Sequence, residues 1–515
     1  MTATATRREW ITPAALVLLA LLVRVVRTAQ TAVMMNDGPE FIRLAQQISA
    51  GDWRAALSHK YHPLYPSAIA AAHLLTSDWE SAAVAISIAG GALAVAALYA
   101  LLREGFDRRV AAVGAFLLAV QPVAIEITDA QSDPLYLALF LASAALLLRA
   151  VQRESAGSAL AAGLAAGAAY LARPEGFGTV VAGVGLAGFE LARRHWTVSQ
   201  ALRSAAPLCA GAALVMSPYV TYLSIHAGEL TLTGKKSVTH MLGVSDARDA
   251  AAPKVDPLLA AHPELQPLPR GVHPFRNAPA PAGAATLTFA AGLLLREIFK
   301  ALRPEGLFLL ALGLWAARGA PARRGYFFAA YAIVYGVVFF GLAATSDYLS
   351  RRHVLPPASL FLGYAGVGVL ALADGLGRVP ALAARPALRL ALPLALVAAL
   401  GLGKSLRPDR LDALPERRAA AWILSDGGLR GGEAVAAVKQ RVGYYAHARF
   451  VDLRRAPHPD VLLEYLHRER VRYVVVDEHE RDELLRLNHG SPDALALVRH
   501  EALGRHEAFV FELRG

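Results

Sequence analysis

The feature that most constrains this chain is the recurrence of long apolar runs, because a helix needs about 20 apolar residues to span a bilayer. Eleven stretches are candidate crossings: residues 11–33, 80–102, 109–128, 134–150, 157–172, 176–192, 204–224, 304–318, 325–344, 354–373 and 388–404. The fifth, sixth and eighth are short, and cross only where the bilayer thins or protein shelters them. The first run follows Arg7 and Arg8 in the manner of a signal peptide. Arg24 and Arg27 interrupt it, however, and no small-residue cleavage site follows, so an uncleaved first helix is expected. Of the 515 residues, 55% are hydrophobic and 18% charged, against about 25% charged in a soluble domain. The expectation is a polytopic α-helical membrane protein with about 11 transmembrane helices.

Lys and Arg set the predicted orientation. The short connections on the N-terminal side hold 16 of them, the opposite loops 34–79, 129–133, 172–176 and 345–353 only 6 over more residues, which places the N-terminus in the cytoplasm. Two long segments, 34–79 and 225–303, then fall outside, and their aromatic and amphipathic runs suit a membrane surface. After Lys404 the composition changes. Residues 405–515 read as a small extracytoplasmic α/β domain, with strand-like runs at Ala434 to Val438 and Tyr473 to Val476. Helix-like runs cover Asp460 to Arg470 and Glu480 to Leu487, and two short apolar runs end in Phe509-Val510-Phe511. The domain division is thus 1–404 and 405–515.

The net charge of +11 does not make nucleic acid a partner, because the basic residues punctuate apolar blocks and form no stripe. Cys209 is the only cysteine, so an intrachain disulfide and a cysteine-based zinc site are excluded. It reads as a packing residue in an apolar helix. Chemistry falls to carboxylates, His, Arg, Lys and hydroxyls.

The charges predicted to lie outside are few. Asp37, in Asn36-Asp37-Gly38-Pro39-Glu40, follows the first crossing, where a carboxylate suits a general base acting on a substrate hydroxyl. The structural alternative is a helix cap. Glu126, Asp129 and Asp133 close the third crossing; Asp133 before Pro134 is again a cap candidate. Together the two acidic clusters suit either a base with its orienting partner or a divalent cation shared by Asp37 and Asp133. Arg173 and Glu175 join two short helices around Pro174 and either face a cavity or pair to close the turn. Lys235, Lys236, Arg351 and Arg352, beside Tyr348, suit an anionic group such as a phosphate. Arg24 and Arg27 either line the cavity or pair with a neighbouring helix.

Taken in order, these motifs resemble the polytopic glycosyltransferases of the C-type fold. The resemblance is to the dolichyl-phosphate-mannose protein mannosyltransferase-like group, family 39, which includes bacterial lipid A aminoarabinose transferases. Asp37, Phe41 and Ala45 fall on that group's first acidic motif, although Gly38 stands where Glu is usual and leaves Glu40 as the substitute. His62-Pro63-Leu64-Tyr65-Pro66 is similar to its His-Pro-Pro-Leu stretch, with one Pro missing. Ser132-Asp133-Pro134-Leu135 matches the second acidic motif, and Arg173-Pro174-Glu175 the short-helix junction. Arg352-His353-Val354-Leu355-Pro356 matches an Arg-Tyr-x-Leu-Pro motif with His for Tyr. The resemblance implies inverting transfer of a monosaccharide from a polyprenyl-phosphate donor to a lipid, glycan or protein acceptor at the outer face of a bacterial-type plasma membrane. It gives Asp37 the role of base, Asp129, Asp133 and Glu40 that of the second acidic motif, and Arg173, Lys235, Lys236, Arg351 and Arg352 that of phosphate ligands. His62, Tyr65 and Tyr348 would line the cavity. The resemblance assigns no definite cofactor, and a divalent metal through Asp37 and Asp133 stays open.

The competing class is a transporter or flippase. Transporters bind substrate near the midplane between repeats, whereas here the charges gather at one surface and no strong repeat is present.

Overall fold

The computed structural model describes residues 3–234, 266–267, 284–318, 322–346, 349–455, 459–481, 484 and 494–514. Two compact units emerge. One joins Met1–Thr28, Leu44–Asp246 and Ala280–Arg407; the other joins Ala29–Arg43, Ala247–Pro279 and Pro408–Gly515. Residues 34–79 are therefore divided, with the Asp37 end belonging to the unit that contains the C-terminal domain.

The first unit is helical. Leaving aside the short helices Trp53–Leu57 and Pro380–Ala383, its helices in chain order are α1 (Ala3–Ala29), α2 (Gly38–Ser49, shared with the second unit), α3 (Leu64–His73), α4 (Trp79–Gly105), α5 (Arg108–Ala119) and α6 (Pro122–Glu126). Next come α7 (Asp133–Arg153), α8 (Ala156–Ala172), α9 (Gly178–Ala192), α10 (Val198–Ala227), α11 (Ala284–Ala316) and α12 (Ala322–Ser346). The last are α13 (Arg351–Ser359), α14 (Leu362–Leu376) and α15 (Pro386–Ser405). A helix lies at every predicted crossing, but among the described residues six are long and apolar enough to span a bilayer unaided. Of the other five stretches, two are the short helices α8 and α9, and three are broken where apolarity does not reveal it. The third stretch divides where Gln121 turns extended ahead of Pro122, its side-chain oxygen capping Ala124 N at 2.6 Å. The eighth belongs to a longer helix kinked at Arg303, which has φ +62° and precedes Pro304. The tenth bends by 68° between α13 and α14.

Caps and small residues explain the rest of this unit. Asp78 and Asp107 accept hydrogen bonds from the first-turn amides of α4 and α5. Helices α8 and α10 touch backbone to backbone: a Cβ on Gly163 would lie 2.1 Å from the Leu208 carbonyl, and one on Gly211 2.4 Å from that of Leu160. Such contacts replace the hydrophobic drive that lipid cannot supply between helices.

The second unit is built on a five-stranded sheet. Its strands are β1 (Ala434–Ala437), β2 (Arg449–Asp452), β3 (Val471–Asp477), β4 (Leu495–Leu503) and β5 (His506–Leu513), in the order β2-β1-β3-β5-β4. β1 pairs in parallel with β2 and β3, while β5 runs antiparallel to β3 and β4. Helices α16 (Leu414–Ser425) and α17 (Arg441–Tyr445) bring residues such as Ile423 and Val442 to the face of Val435, Val475 and Val510. Helix α18 (Pro459–Arg468) covers the opposite face, where Leu462 and Leu466 meet Val474 and Phe511. Cover on both faces explains why β1 and β3 read as continuous apolar runs. Most of the charged helix expected at Glu480 to Leu487 lies outside the described residues.

Candidate active site

In the helical unit, Asp133 starts α7, yet its carboxylate accepts a hydrogen bond from Arg173 Nη1 at 2.7 Å and does not cap the helix. Arg173 follows α8 with extended backbone because Pro174 comes next. Its guanidinium also meets Glu175 at 3.2 Å, and all three side chains are nearly buried. The Tyr136 ring lies 5.9 Å from the guanidinium carbon, and Tyr335 donates to the Glu175 carbonyl at 2.8 Å. Two helix breaks distant in sequence are thereby joined through one cation, which the paired carboxylates make tolerable under burial.

The loop between α6 and α7 continues this layer. Buried Asp129 accepts from Ala130 N at 2.6 Å. The Gln131 carbonyl accepts from Ser87 Oγ at 3.0 Å, while both polar atoms of the Gln131 side chain are buried without partners. Tyr65, fully buried, has its hydroxyl 2.8 Å from Ser87 Oγ and 3.0 Å from the Ala83 carbonyl. His62 is buried between the rings of Tyr170 and Tyr219. Its Nδ1 donates to the Tyr170 carbonyl at 2.6 Å, and its Nε2 lies 3.0 Å from Thr233 Oγ1.

Cations gather at the start of α13. Arg351 pairs with Glu126, Arg352 is half-buried, and Ser350 with His353 forms the capping box. Further along, Leu355 and Ala358 of α13 and Leu362 of α14 line an apolar cavity with Leu117, Val120 and Val397, and Gln121 and Arg303 border it. Lys235, Lys236 and Tyr348 lie outside the described residues.

In the second unit, Asp37 is half-buried on a turn closed by Gly38 N to the Met35 carbonyl at 2.9 Å, just before α2. Asn36 Oδ1 beside it is buried with no hydrogen-bond partner. Glu40 pairs with Arg43 at 2.5 Å and accepts from Gln440 Nε2. Among the described residues no three His, Cys, Asp or Glu side chains converge as a metal-ligand set.

Comparison with known proteins now bears on this geometry. Residues 60–223 match the family described as Dolichyl-phosphate-mannose-protein mannosyltransferase. ArnT from Cupriavidus metallidurans, solved with undecaprenyl phosphate, superposes with a TM-score of 0.59 at 16% identity, over 99% of this chain and 98% of its own. The oligosaccharyltransferase of Archaeoglobus fulgidus in its apo form superposes at 0.58 and 15% identity, over 93% and 71%. The archaeal oligosaccharyltransferase AglB from Archaeoglobus fulgidus, in complex with an inhibitory peptide and a dolichol-phosphate, gives 0.58 at 14%, over 92% and 70%. The chain has the fold of the C-type membrane glycosyltransferases. No curated protein sequence matches it significantly.

Within this C-type fold, the motif order carried the resemblance, and the structure adds partners. Arg173, expected at a phosphate, sits between Asp133 and Glu175, and His62 and Tyr65, expected at a cavity, have their polar atoms engaged by protein. Tyr335, Ser87, Gln131 and Gln440 were not singled out from sequence. Only Gln131 carried a signal, as a polar residue amid the acidic break at 129–133.

Proposed function

We propose that this protein transfers a monosaccharide from a polyprenyl-phosphate-linked donor to an acceptor hydroxyl, inverting the anomeric centre in one displacement. The observation that carries this reading is α13. Its first turn presents Arg351 and Arg352, and its next turn lines an apolar cavity, a combination suited to a phosphate joined to a hydrocarbon chain. Support comes from the similar structures of ArnT and AglB, described with undecaprenyl phosphate and dolichol-phosphate.

The acceptor oxygen attacks the anomeric carbon, the bond from that carbon to the phosphate oxygen breaks, and the lipid phosphate leaves. The acceptor proton passes to Asp37. Asn36 Oδ1, without a partner, is a ready acceptor for a substrate hydroxyl beside it. Arg351 and Arg352 stabilise charge developing on the leaving phosphate, while Arg173, already between two carboxylates, holds the helix breaks together. The chain would lie in a bacterial-type plasma membrane, with its N-terminus cytoplasmic and its chemistry on the outer face.

The test incubates purified protein with polyprenyl-phosphate sugars and candidate acceptors and reads glycosidic products by mass spectrometry. Asp37→Asn should insert and fold normally but lower transfer by about 10²–10⁴-fold, the usual worth of a general base. Arg352→Ala should raise the KM for the lipid-phosphate donor. Normal turnover by Asp37→Asn removes the base; flux of an intact solute with no product points to transport.

A further inference from the structure

We propose that the C-terminal α/β domain orients the Asp37 turn, with Gln440 and Glu40 as positioning residues. This rests on Asp37 being the base and goes beyond it by giving the domain and Glu40 a role.

The segment before the turn is held by the domain nearly residue by residue. Ala32 N donates to the Asp409 carbonyl at 3.1 Å, and Asp409 N returns to the Gln30 carbonyl at 3.1 Å. Arg417 donates to the Ala32 carbonyl at 2.5 Å, and Arg410 to that of Val33 at 2.7 Å. Met34 N donates to the Tyr445 hydroxyl at 3.0 Å. After the turn, Gln440 Nε2 donates to Glu40, which Arg43 also binds. Asp37 thus lies between two fixed points. Glu40, the residue offered as a second catalytic carboxylate, has its oxygens directed to Gln440 and Arg43.

Gln440 and Tyr445 come from one place, the exit of β1 and the short helix α17. In sheets with parallel strands, functional groups collect beyond the carboxyl ends of those strands. That exit is fixed in turn. Lys439 binds Glu416 at 2.7 Å and Asp477, at the end of β3, at 2.8 Å, while Arg441 binds Glu416 at 2.9 Å. Burial works against the Lys439 charge, but Glu416 and Asp477 outweigh it and raise its pKa above the ordinary value. A misplacement of about 1 Å can cost a reaction on the order of 10²-fold, so this clamp bears on rate through the position it gives Asp37.

The experiment compares the full chain with Gln440→Leu, Tyr445→Phe, Glu40→Ala, and the reciprocal pair Glu40→Gln with Gln440→Glu. Gln440→Leu should lower kcat by about tenfold or more, with the donor KM within about twofold. Hydrogen exchange of the 32–41 backbone should quicken in Gln440→Leu and Tyr445→Phe. The reciprocal pair, which restores an amide-to-carboxylate hydrogen bond with the roles exchanged, should recover most of kcat lost in Glu40→Ala. Unchanged kcat and exchange in Gln440→Leu would overturn the proposal. A raised acceptor KM at unchanged kcat would overturn it too, and would make the domain an acceptor-binding surface. Full turnover by Asp37→Asn, with exchange still quickened by Gln440→Leu, would sink the assignment of the base and leave the clamp standing.

Discussion

Asp133 and Asp37 each stand at a proline-containing helix start, yet the chain treats them differently. Asp133 is buried and joined to Arg173 at 2.7 Å, in a cluster that ties α7 to the α8–α9 junction. Asp37 is half-buried on a turn whose flanks are held by main-chain hydrogen bonds, Gln440 and Arg43. A carboxylate fixed by a guanidinium serves architecture. One on a turn whose flanks are held on both sides is set in place by the backbone that carries it.

The largest effect that tests this contrast is on stability. Removing one member of a buried ion cluster strands the other charges at about 3–5 kcal/mol, so Arg173→Ala should sharply lower the thermal midpoint of the detergent-solubilised protein. Asp133→Asn should behave similarly, Asp37→Asn should leave the midpoint in place, and size-exclusion after a heating series separates them. An Asp133→Asn protein that is stable but inactive would reverse the comparison and move the chemistry to Asp133.

How far these roles are legible in sequence follows from the range of each interaction. The apolar runs give the helices, because burial in lipid demands them locally, and Val474, Val475 and Val476 announce a strand covered on both faces. The breaks at Gln121 and Arg303 were hidden in apolar surroundings, although Pro122 and Pro304 stand beside them. Partner choice was not legible. Arg173 was equally suited to Glu175 alone, to a phosphate, or to Asp133 forty positions away. Glu40 and Gln440, four hundred positions apart, carry no mark of each other in a single sequence.

A second buried cation sharpens the contrast within the helical unit. Arg24 of α1 is fully buried, but it donates to the Ala20 and Ala124 carbonyls at 3.2 and 3.4 Å and leaves Nε without a partner. Its path exists because position 91 is glycine: a Cβ there would lie 2.1 Å from Nε. Gly91→Ala should destabilise by about 1–3 kcal/mol through overpacking, and adding Arg24→Met should recover most of it. If the double variant is no better than Gly91→Ala, the Arg24 side chain is not what the glycine accommodates.

The smallest effect concerns the clamp's own support. Burial, with the nearby Asp477 charge, pushes the Glu480 carboxyl up from 4.5 to about 7, against the pull of Lys439. Between about pH 4.5 and 7 the folded chain then holds a proton that the unfolded chain has lost, so stability falls as pH rises through that window and stays lower above it. Asp477 acts in the opposite sense: Lys439 and backbone amides overcome its burial and lower its pKa, so its contribution is present above its ordinary range and lost in acid. Glu480→Gln should therefore flatten the decline between pH 4.5 and 7, by on the order of 1 kcal/mol given solvent screening, and leave the acid loss intact. Hydrogen exchange of β1 and β3 in the full chain across that pH range reads both arms. A decline that persists in Glu480→Gln would place the proton elsewhere. Loss of the decline, with faster exchange at residues 32–41 only in the wild type near neutral pH, would tie the same proton to the hold on Asp37.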